Sequence, residues 1–116
     1  MNGRSEQTKR IRALNDAMRT AAPISVATSR WVTTAGIQGL GAEAVAIAVK
    51  QVQDFDSFDE GNDPYGEHDF GRFALYGQEV FWKIDYYDLT LSCGSDDPSD
   101  EASTCRVLTL MLASEY

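Results

Sequence analysis

A β-hairpin pattern over residues 68–87 constrains the fold more than any other feature of this chain of 116 residues. Large apolar residues alternate with polar ones on both sides of a central glycine, and such alternation predicts two strands with one buried face. With Gly77 and Gln78 as a two-residue turn, Leu75 lies opposite Val80. The side chains predicted to share the buried face are Phe73, Leu75, Val80, Trp82 and Ile84.

Three helices are predicted around this hairpin. The first spans residues 5–19 and the second spans residues 42–55, because apolar residues in both recur at helical spacing. The third is predicted from Pro98 to Ser114, where Asp97 is a suitable N-cap and proline suits the first helical position. The apolar stripe of this last helix consists of Cys105, Leu108, Met111 and Leu112.

A further strand is predicted over residues 24–34, which are rich in β-branched side chains, and a glycine-rich loop over residues 36–41. The predicted order of elements is therefore α-β-α-β-β-α. This order predicts an α+β fold, a two-layer sandwich in which helices pack on a small, mainly antiparallel sheet. The length of the chain fits one domain, residues 1–116.

The acidic residues are concentrated in one part of the chain. Fourteen of the eighteen lie between Asp54 and Glu101 against only Arg72 and Lys83, a net charge of −12, whereas residues 1–53 have a net charge of +4. Direct binding to nucleic acid requires a basic surface, so the overall charge of −8 argues against it. The segregation predicts a partner with a basic surface.

Composition also indicates the compartment. The segment 1–10 has no apolar core of a signal peptide, and the chain has no apolar run of about 18 residues that would cross a membrane. Cys93 and Cys105, with a single histidine, are too few soft ligands for a structural zinc site. We therefore predict reduced thiols, a cytoplasmic location and no membrane partner.

The acidic segment only partly matches a calcium-binding loop of the helix-loop-helix type. Asp54 and Asp56 fit the first ligand positions, but the later positions hold Phe58, Asp59 and Tyr65. No metal or cofactor is predicted. The carboxylates that remain candidates for an adventitious cation are those of Asp59, Asp63 and Asp69.

The sole histidine, His68, lies between Glu67 and Asp69. Neighbouring carboxylates can orient an imidazole for proton transfer. One interpretation is thus a small enzyme or metal-dependent hydrolase centred on His68, with Glu67, Asp69 and Asp85. The other is a histidine that fixes the shape of its loop, which we favour because no nucleophile and no second histidine is identifiable. No catalytic residue is assigned.

The acidic residues themselves have two interpretations, a solubilising surface or a carboxylate array that competes with phosphates for a basic groove. Aromatic residues interleaved with the acids favour the second, because aromatics beside charge are typical of interface anchors. The residues predicted to bind a partner are Asp54, Asp56, Phe58, Asp59, Glu60, Asp63, Tyr65, Glu67, Asp69, Asp85, Tyr87, Asp88, Asp96 and Asp97.

Four segments resemble an uncharacterised family of small acidic proteins found on plasmids, integrative elements and phages of alphaproteobacteria. They are IRALND at 11–16, FDSFDEGNDPYGEHDFG at 55–71, VFWKIDYYD at 80–88 and RVLTLMLASEY at 106–116. Residues 21–41 are the least similar to the family. The resemblance implies no catalytic residue. It does imply a setting in which small acidic proteins often inhibit host restriction or CRISPR systems.

The resulting hypothesis is a non-enzymatic interaction protein of mobile-element origin, an anti-CRISPR or anti-restriction inhibitor. It would present segments 54–69 and 85–101 to a basic, nucleic-acid-binding site of a host defence protein by charge mimicry, with Phe58, Tyr65 or Tyr87 as anchors. The third alternative is an oligomeric structural or regulatory protein whose charge serves only solubility.

Overall fold

The computed structural model describes residues 3–116 and contains helices packed on a four-stranded sheet, the α+β class that the sequence predicts. Met1 and Asn2 of the predicted domain 1–116 lie outside the described residues. No helix within residues 3–116 has the length and apolar character needed to cross a membrane. The helices are α1 (Gly3–Thr20), α2 (Ala35–Gln38) and α3 (Ala42–Asp54), and the strands are β1 (Ser29–Thr33), β2 (Phe70–Leu75), β3 (Gln78–Tyr87) and β4 (Cys105–Leu112).

The strands lie in the order β1-β4-β3-β2. β4 pairs antiparallel with β3 and parallel with β1, and β2 pairs antiparallel with β3. β4 is therefore a central strand although it comes last in the chain, and the sheet is mainly antiparallel.

The buried face of the hairpin is confirmed, but its predicted turn is wrong. Phe73 pairs with Val80, and the turn consists of Tyr76 and Gly77, whose φ angles are 50° and 75°. A tight two-residue turn with positive φ at both central residues matches the twist of the flanking strands. Moving the turn by one residue changes every partner by two positions, so the same side chains stay on the buried face, and Trp82 is fully buried.

The predicted C-terminal helix is wrong. Residues 105–112 form β4, preceded by a 3₁₀ turn at Glu101–Ser103 and followed by another at Ala113–Glu115. Asp100, not Asp97, caps the first of these turns. The observed order of elements is therefore α-β-α-α-β-β-β. The segment was predicted to be helical because a central strand buried on both faces presents a nearly continuous apolar run, and such a run also fits helical spacing.

The region between α1 and α3 also differs from the prediction. The predicted strand 24–34 is reduced to β1, because Val26 and Ser29 bond each other's backbone in a turn. Part of the predicted loop 36–41 is helical. Its helix, α2, begins where the side chain of Thr34 accepts a hydrogen bond from the Ile37 amide, and Ile37 is fully buried.

The core lies between α2, α3 and one face of the sheet. On the opposite face Phe70, Phe81 and Tyr116 form an edge-to-face cluster with ring centroids 5.2–6.3 Å apart. The buried residues of the core are Ile37, Ala44, Ala48, Val52, Leu75, Val80, Trp82, Ile84, Leu108 and Leu110.

Candidate functional site

Both acidic segments lie at the same end of the sheet. β3 ends at Tyr87, which pairs with Cys105 at the start of β4, and β2 begins at Phe70, which pairs with Lys83 near the end of β3. The segment that precedes β2 and the segment that follows β3 must therefore flank one end. We call residues 54–69 and 85–101 the acidic end of the sheet.

Four carboxylates of the acidic end are free to meet a partner. Their residues are exposed, and their carboxylates form no hydrogen bond or ion pair with the residues from Ser5 to Tyr116. An exposed, uncompensated carboxylate contributes its full charge to the field outside the protein. These residues are Asp56, Glu60 and Asp96, which the sequence predicts to bind a partner, and Glu101, which is not among the predicted residues.

Other predicted partner-binding acids hold the loops in shape. Asp59 Oδ1 accepts hydrogen bonds from the amides of Gly61 and Asn62, at 2.8 and 3.0 Å. Asp88 Oδ1 likewise accepts from the amides of Thr90 and Ser92, both at 3.1 Å. Aspartates commonly stabilise turns in this way, so these side chains have a structural use whether or not they also bind a partner.

Ion pairs and burial withdraw several more of the predicted acids. Asp54 lies 3.3 Å from Lys50 Nζ, and Asp85 lies 2.6 Å from Lys83 Nζ. Asp63 is only 8% exposed. The sequence-predicted set thus divides into a few free acids and a larger group that has partners within the protein, including Asp97, which accepts from Ser99.

The three aromatic residues proposed as anchors have different environments. Tyr65 is 74% exposed, Tyr87 is half-buried, and Phe58 packs against the core. The Phe58 ring stacks on the His68 ring with centroids 3.8 Å apart and meets the Trp82 ring edge to face. Of the three proposed anchors, Tyr65 is therefore the one most exposed to a partner.

His68 links the acidic end to α1. Its Nδ1 lies 3.0 Å from Asp16 Oδ1, and its Nε2 lies 3.7 Å from Asp63 Oδ2. The ring is bonded to Asp16, not to the adjacent Glu67 and Asp69. This geometry suits a histidine that fixes the position of its loop against the first helix.

A buried polar network next to His68 was not apparent from the sequence. Asn15 is fully buried, accepts a hydrogen bond from Arg106 Nε at 2.8 Å, and donates to the Tyr86 hydroxyl at 2.8 Å and to the Glu67 carbonyl at 3.0 Å. The Tyr86 hydroxyl donates to Glu67 Oε1 at 2.7 Å, and burial raises the Tyr86 pKa. One signal in the sequence could have indicated that Asn15 is buried, because it follows Ile11 by four residues and so lies on the same buried face of α1.

Arg19 extends this connection to α3. Its Nη1 donates to the carbonyls of Val52 and Phe55, at 2.8 and 2.9 Å, and so bonds the backbone at the end of the helix. Its Nη2 pairs with Asp16 at 3.0 Å, and its guanidinium lies 5.3 Å from the Trp82 ring. One helix therefore orients both the acidic loop and α3.

The pKa of Asp69 reflects both its burial and the closeness of other carboxylates at the acidic end. Burial, with added repulsion from Glu67, Asp63 and Asp85, raises the pKa of Asp69 to about 6. Because the folded state then binds the proton more tightly than the unfolded state, stability should fall as pH rises from about 4 to about 6. We expect Asp69→Asn to be more stable than the wild type at pH 7, with the gain absent at pH 4. Urea denaturation at both pH values would measure it, and a gain at pH 4 as large as that at pH 7 would contradict the assignment.

Metal-binding groups are sparse in the part of the chain that the structure describes. No group of three or more His, Cys, Asp or Glu side chains is arranged to hold a metal ion there. Cys93 is an exposed free thiol and Cys105 a buried one.

Comparison with known proteins gives one match. The model of a family described as "Protein of unknown function (DUF3768)" matches residues 33–115. No curated protein and no solved structure matches the chain. The matched range includes both acidic segments and the strands β2, β3 and β4, but only the last residue of β1, and it leaves out α1.

Proposed function

This chain belongs to the DUF3768 family of proteins of unknown function, and we propose that it is a non-enzymatic acidic protein that binds a basic, nucleic-acid-binding site on another protein. The observation that carries the proposal is the placement of Asp56, Glu60, Asp96 and Glu101. They come from two segments far apart in sequence that join the sheet at the same end, and none of the four carboxylates has a hydrogen bond or ion pair with the residues from Ser5 to Tyr116.

Such an arrangement favours rapid association with a positive surface. Charges in one region add up to a potential that steers an encounter over roughly 8–10 Å at cellular salt. Exposed carboxylates can occupy positions that phosphates take in a basic groove. Tyr65, exposed within the first acidic segment, would add a packed contact once the surfaces meet.

The basic residues of α1 limit the side from which a basic partner can approach the acidic end. Arg10 Nε donates to the Ser99 carbonyl at 3.2 Å, so the N-terminal half of this helix lies beside the second acidic segment. Lys9 is exposed on the same helix. The first acidic segment also has a basic neighbour, because Arg72 lines one cavity with Asp59, Gly61 and Asn62. A partner should therefore approach the carboxylates from the side away from both α1 and Arg72.

The proposed partner class is a nucleic-acid-binding protein of a host defence system, of the CRISPR or restriction type. This part of the proposal rests on the resemblance to small acidic proteins of mobile elements and on the charge arrangement. It predicts that nucleic acid and this protein exclude each other from the partner.

The test compares two variants with the same change in net charge. Glu60→Gln/Asp96→Asn removes two free carboxylates of the acidic end. Glu43→Gln/Glu79→Gln removes two exposed ones, in the first turn of α3 and near the hairpin turn. Using a partner captured from host lysate, we expect the first variant to associate about three- to tenfold more slowly at low salt and the second to resemble the wild type.

Salt and competition complete this test. The association rate of the wild type should fall steeply with ionic strength, and the duplex or RNA that the partner binds should displace the protein. Equal slowing in both variants, or association that does not respond to salt, would show that the charge serves only solubility.

The enzyme alternative has one observation in its favour, the raised pKa of half-buried Asp69, which approaches the range useful for general acid–base catalysis. Against it, His68 is bonded to Asp16 and stacked on Phe58. Hydrolysis of a phosphoester or glycoside substrate panel that is lost in both Asp69→Asn and His68→Gln would favour the enzyme over the binding protein.

A further inference from the structure

Arg106 is a buried cation without a counter-ion. It is 3% exposed, and no carboxylate of residues 3–116 forms an ion pair with it. Its Nε donates to Asn15 Oδ1, its Nη2 donates to the Pro98 carbonyl, and its guanidinium lies 5.4 Å from the Tyr86 ring. Its Nη1 has no hydrogen-bond partner among the described residues. Burying an unpaired charge is costly, so this donor points to an acceptor from outside the chain.

The same arginine forms part of the wall of a small cleft between α1 and the beginnings of β1 and β4. The cleft has a volume of about 230 Å³. At about 30 Å³ for each water molecule, this is room for about eight waters, the size of a small metabolite. We call it the Arg106 cleft; its lining residues are Leu14, Ala17, Met18, Thr28, Ser29, Glu101 and Arg106.

The lining combines three kinds of surface. α1 contributes the apolar side chains of Leu14 and Met18, the approach to β1 contributes the hydroxyl of Thr28, and the 3₁₀ turn before β4 contributes Glu101. Glu101 is exposed and forms no ion pair. Burial lowers the pKa of Arg106, while the negative charge of Glu101 raises it, so the two groups interact without bonding.

We propose that the Arg106 cleft binds a small amphoteric molecule of the size and chemistry of an aliphatic α-amino acid. Its carboxylate bonds Arg106 Nη1, its ammonium group pairs with Glu101, and its apolar side chain lies on Leu14 and Met18. Arg106, Glu101 and the apolar wall of the cleft then each have a complementary group in the ligand.

A simple anion fits this cleft less well. Glu101 would repel a carboxylate that carried no positive group, and the protein has a net charge of −8. Arg106 Nη1 is itself buried, so in this proposal a ligand oxygen reaches it only when a side chain of the cleft wall moves, and the flexible thioether of Met18 is the wall element best suited to do so.

The experiment is a titration of the full, ¹⁵N-labelled chain with three related molecules, followed through its amide signals. L-leucine carries both charged groups, isocaproate lacks the ammonium group, and isoamylamine lacks the carboxylate. We expect leucine to shift the amides of Ala17, Ser29 and Glu101, with Gly77 at the distant hairpin turn unchanged, and the two analogues to bind at least fivefold more weakly.

Two variants that preserve the buried network sharpen the test. Glu101→Gln should weaken leucine binding about threefold to fivefold, in the range of one exposed ion pair, and should leave isocaproate binding equal or tighter. Asp96→Asn, an acid of the same segment outside the cleft, should change leucine binding less than twofold.

Three results would overturn the proposal. The first is that the amide signals of the cleft residues do not shift up to roughly 50 mM leucine, a concentration well above the range of weak ligands. The second is that isocaproate binds as tightly as leucine. The third is that Glu101→Gln and Asp96→Asn change leucine binding equally. Each would leave Arg106 as an arginine that only holds the loop and α1 together. Glu101 belongs to both proposals, but these titrations contain no protein partner, so a failure here and a failure of the acidic partner surface are measured separately.

Discussion

Replacing Trp82 by alanine should lower the free energy of unfolding by about 3–5 kcal/mol, the range of large aromatic truncations in a packed core. The indole is fully buried in the middle of β3 and meets Phe55 and Phe58 edge to face. It also fills the space over Gly71, where an added Cβ would lie 2.4 Å from Trp82 Nε1. Because elements on several sides enclose the site, the cavity left by alanine cannot collapse easily.

Phe81→Ala is the matched control for this prediction. Phe81 is the neighbouring aromatic residue on β3, but it points to the opposite face and is only half-buried. Its removal should cost clearly less, because water can replace part of the lost contact. Urea denaturation of both variants measures the difference. A loss for Trp82→Ala no larger than that for Phe81→Ala would show that the core is not centred on this residue.

The hairpin was predictable from the sequence because its signal has a period of two. Any turn that keeps this period puts Val80 and Trp82 on one face, so an error of one residue in the turn did not affect the predicted core. The turn itself depends on whether Tyr76 accepts a positive φ, which composition does not reveal.

The last strand was not predictable by the same means. Leu108 and Leu110 face the helices, whereas Met111 is buried on the other face. Burial on both faces removes the alternation that marks a half-exposed strand, and the remaining apolar run also fits a helix. Only the position of β4 between β1 and β3, a property of the whole fold, decides its conformation.

The acidic end was predictable as a concentration of charge but not as a set of roles. Composition alone treats Asp59 and Glu60 alike, yet Asp59 holds a turn and Glu60 is free. The partners of His68 and Arg106 on α1, Asp16 and Asn15, are at least 52 residues away in the chain. Contacts of that range leave no periodic signal, so the buried network emerged only from the structure.

Replacing Asn15 by alanine should have the second large effect on stability, a loss of about 3 kcal/mol. The side chain satisfies Arg106, Tyr86 and the Glu67 carbonyl at once. Its removal leaves the Arg106 Nε donor without its partner in the interior, and each unsatisfied buried group costs about 1–3 kcal/mol. Gln7→Ala, an exposed change on the same helix, should stay within about 0.5 kcal/mol of the wild type.

A double-mutant cycle with Tyr86→Phe separates the network from a general loss of packing. If Asn15 acts through its hydrogen bond to the Tyr86 hydroxyl, the loss in Asn15→Ala/Tyr86→Phe should be smaller than the sum of the two single losses by at least about 0.5 kcal/mol. Strictly additive losses would mean that the two side chains are not coupled.

Asn15 also bonds the Glu67 carbonyl, so its removal should destabilise the acidic loop locally. We expect faster amide exchange across residues 63–69 in Asn15→Ala than in the wild type.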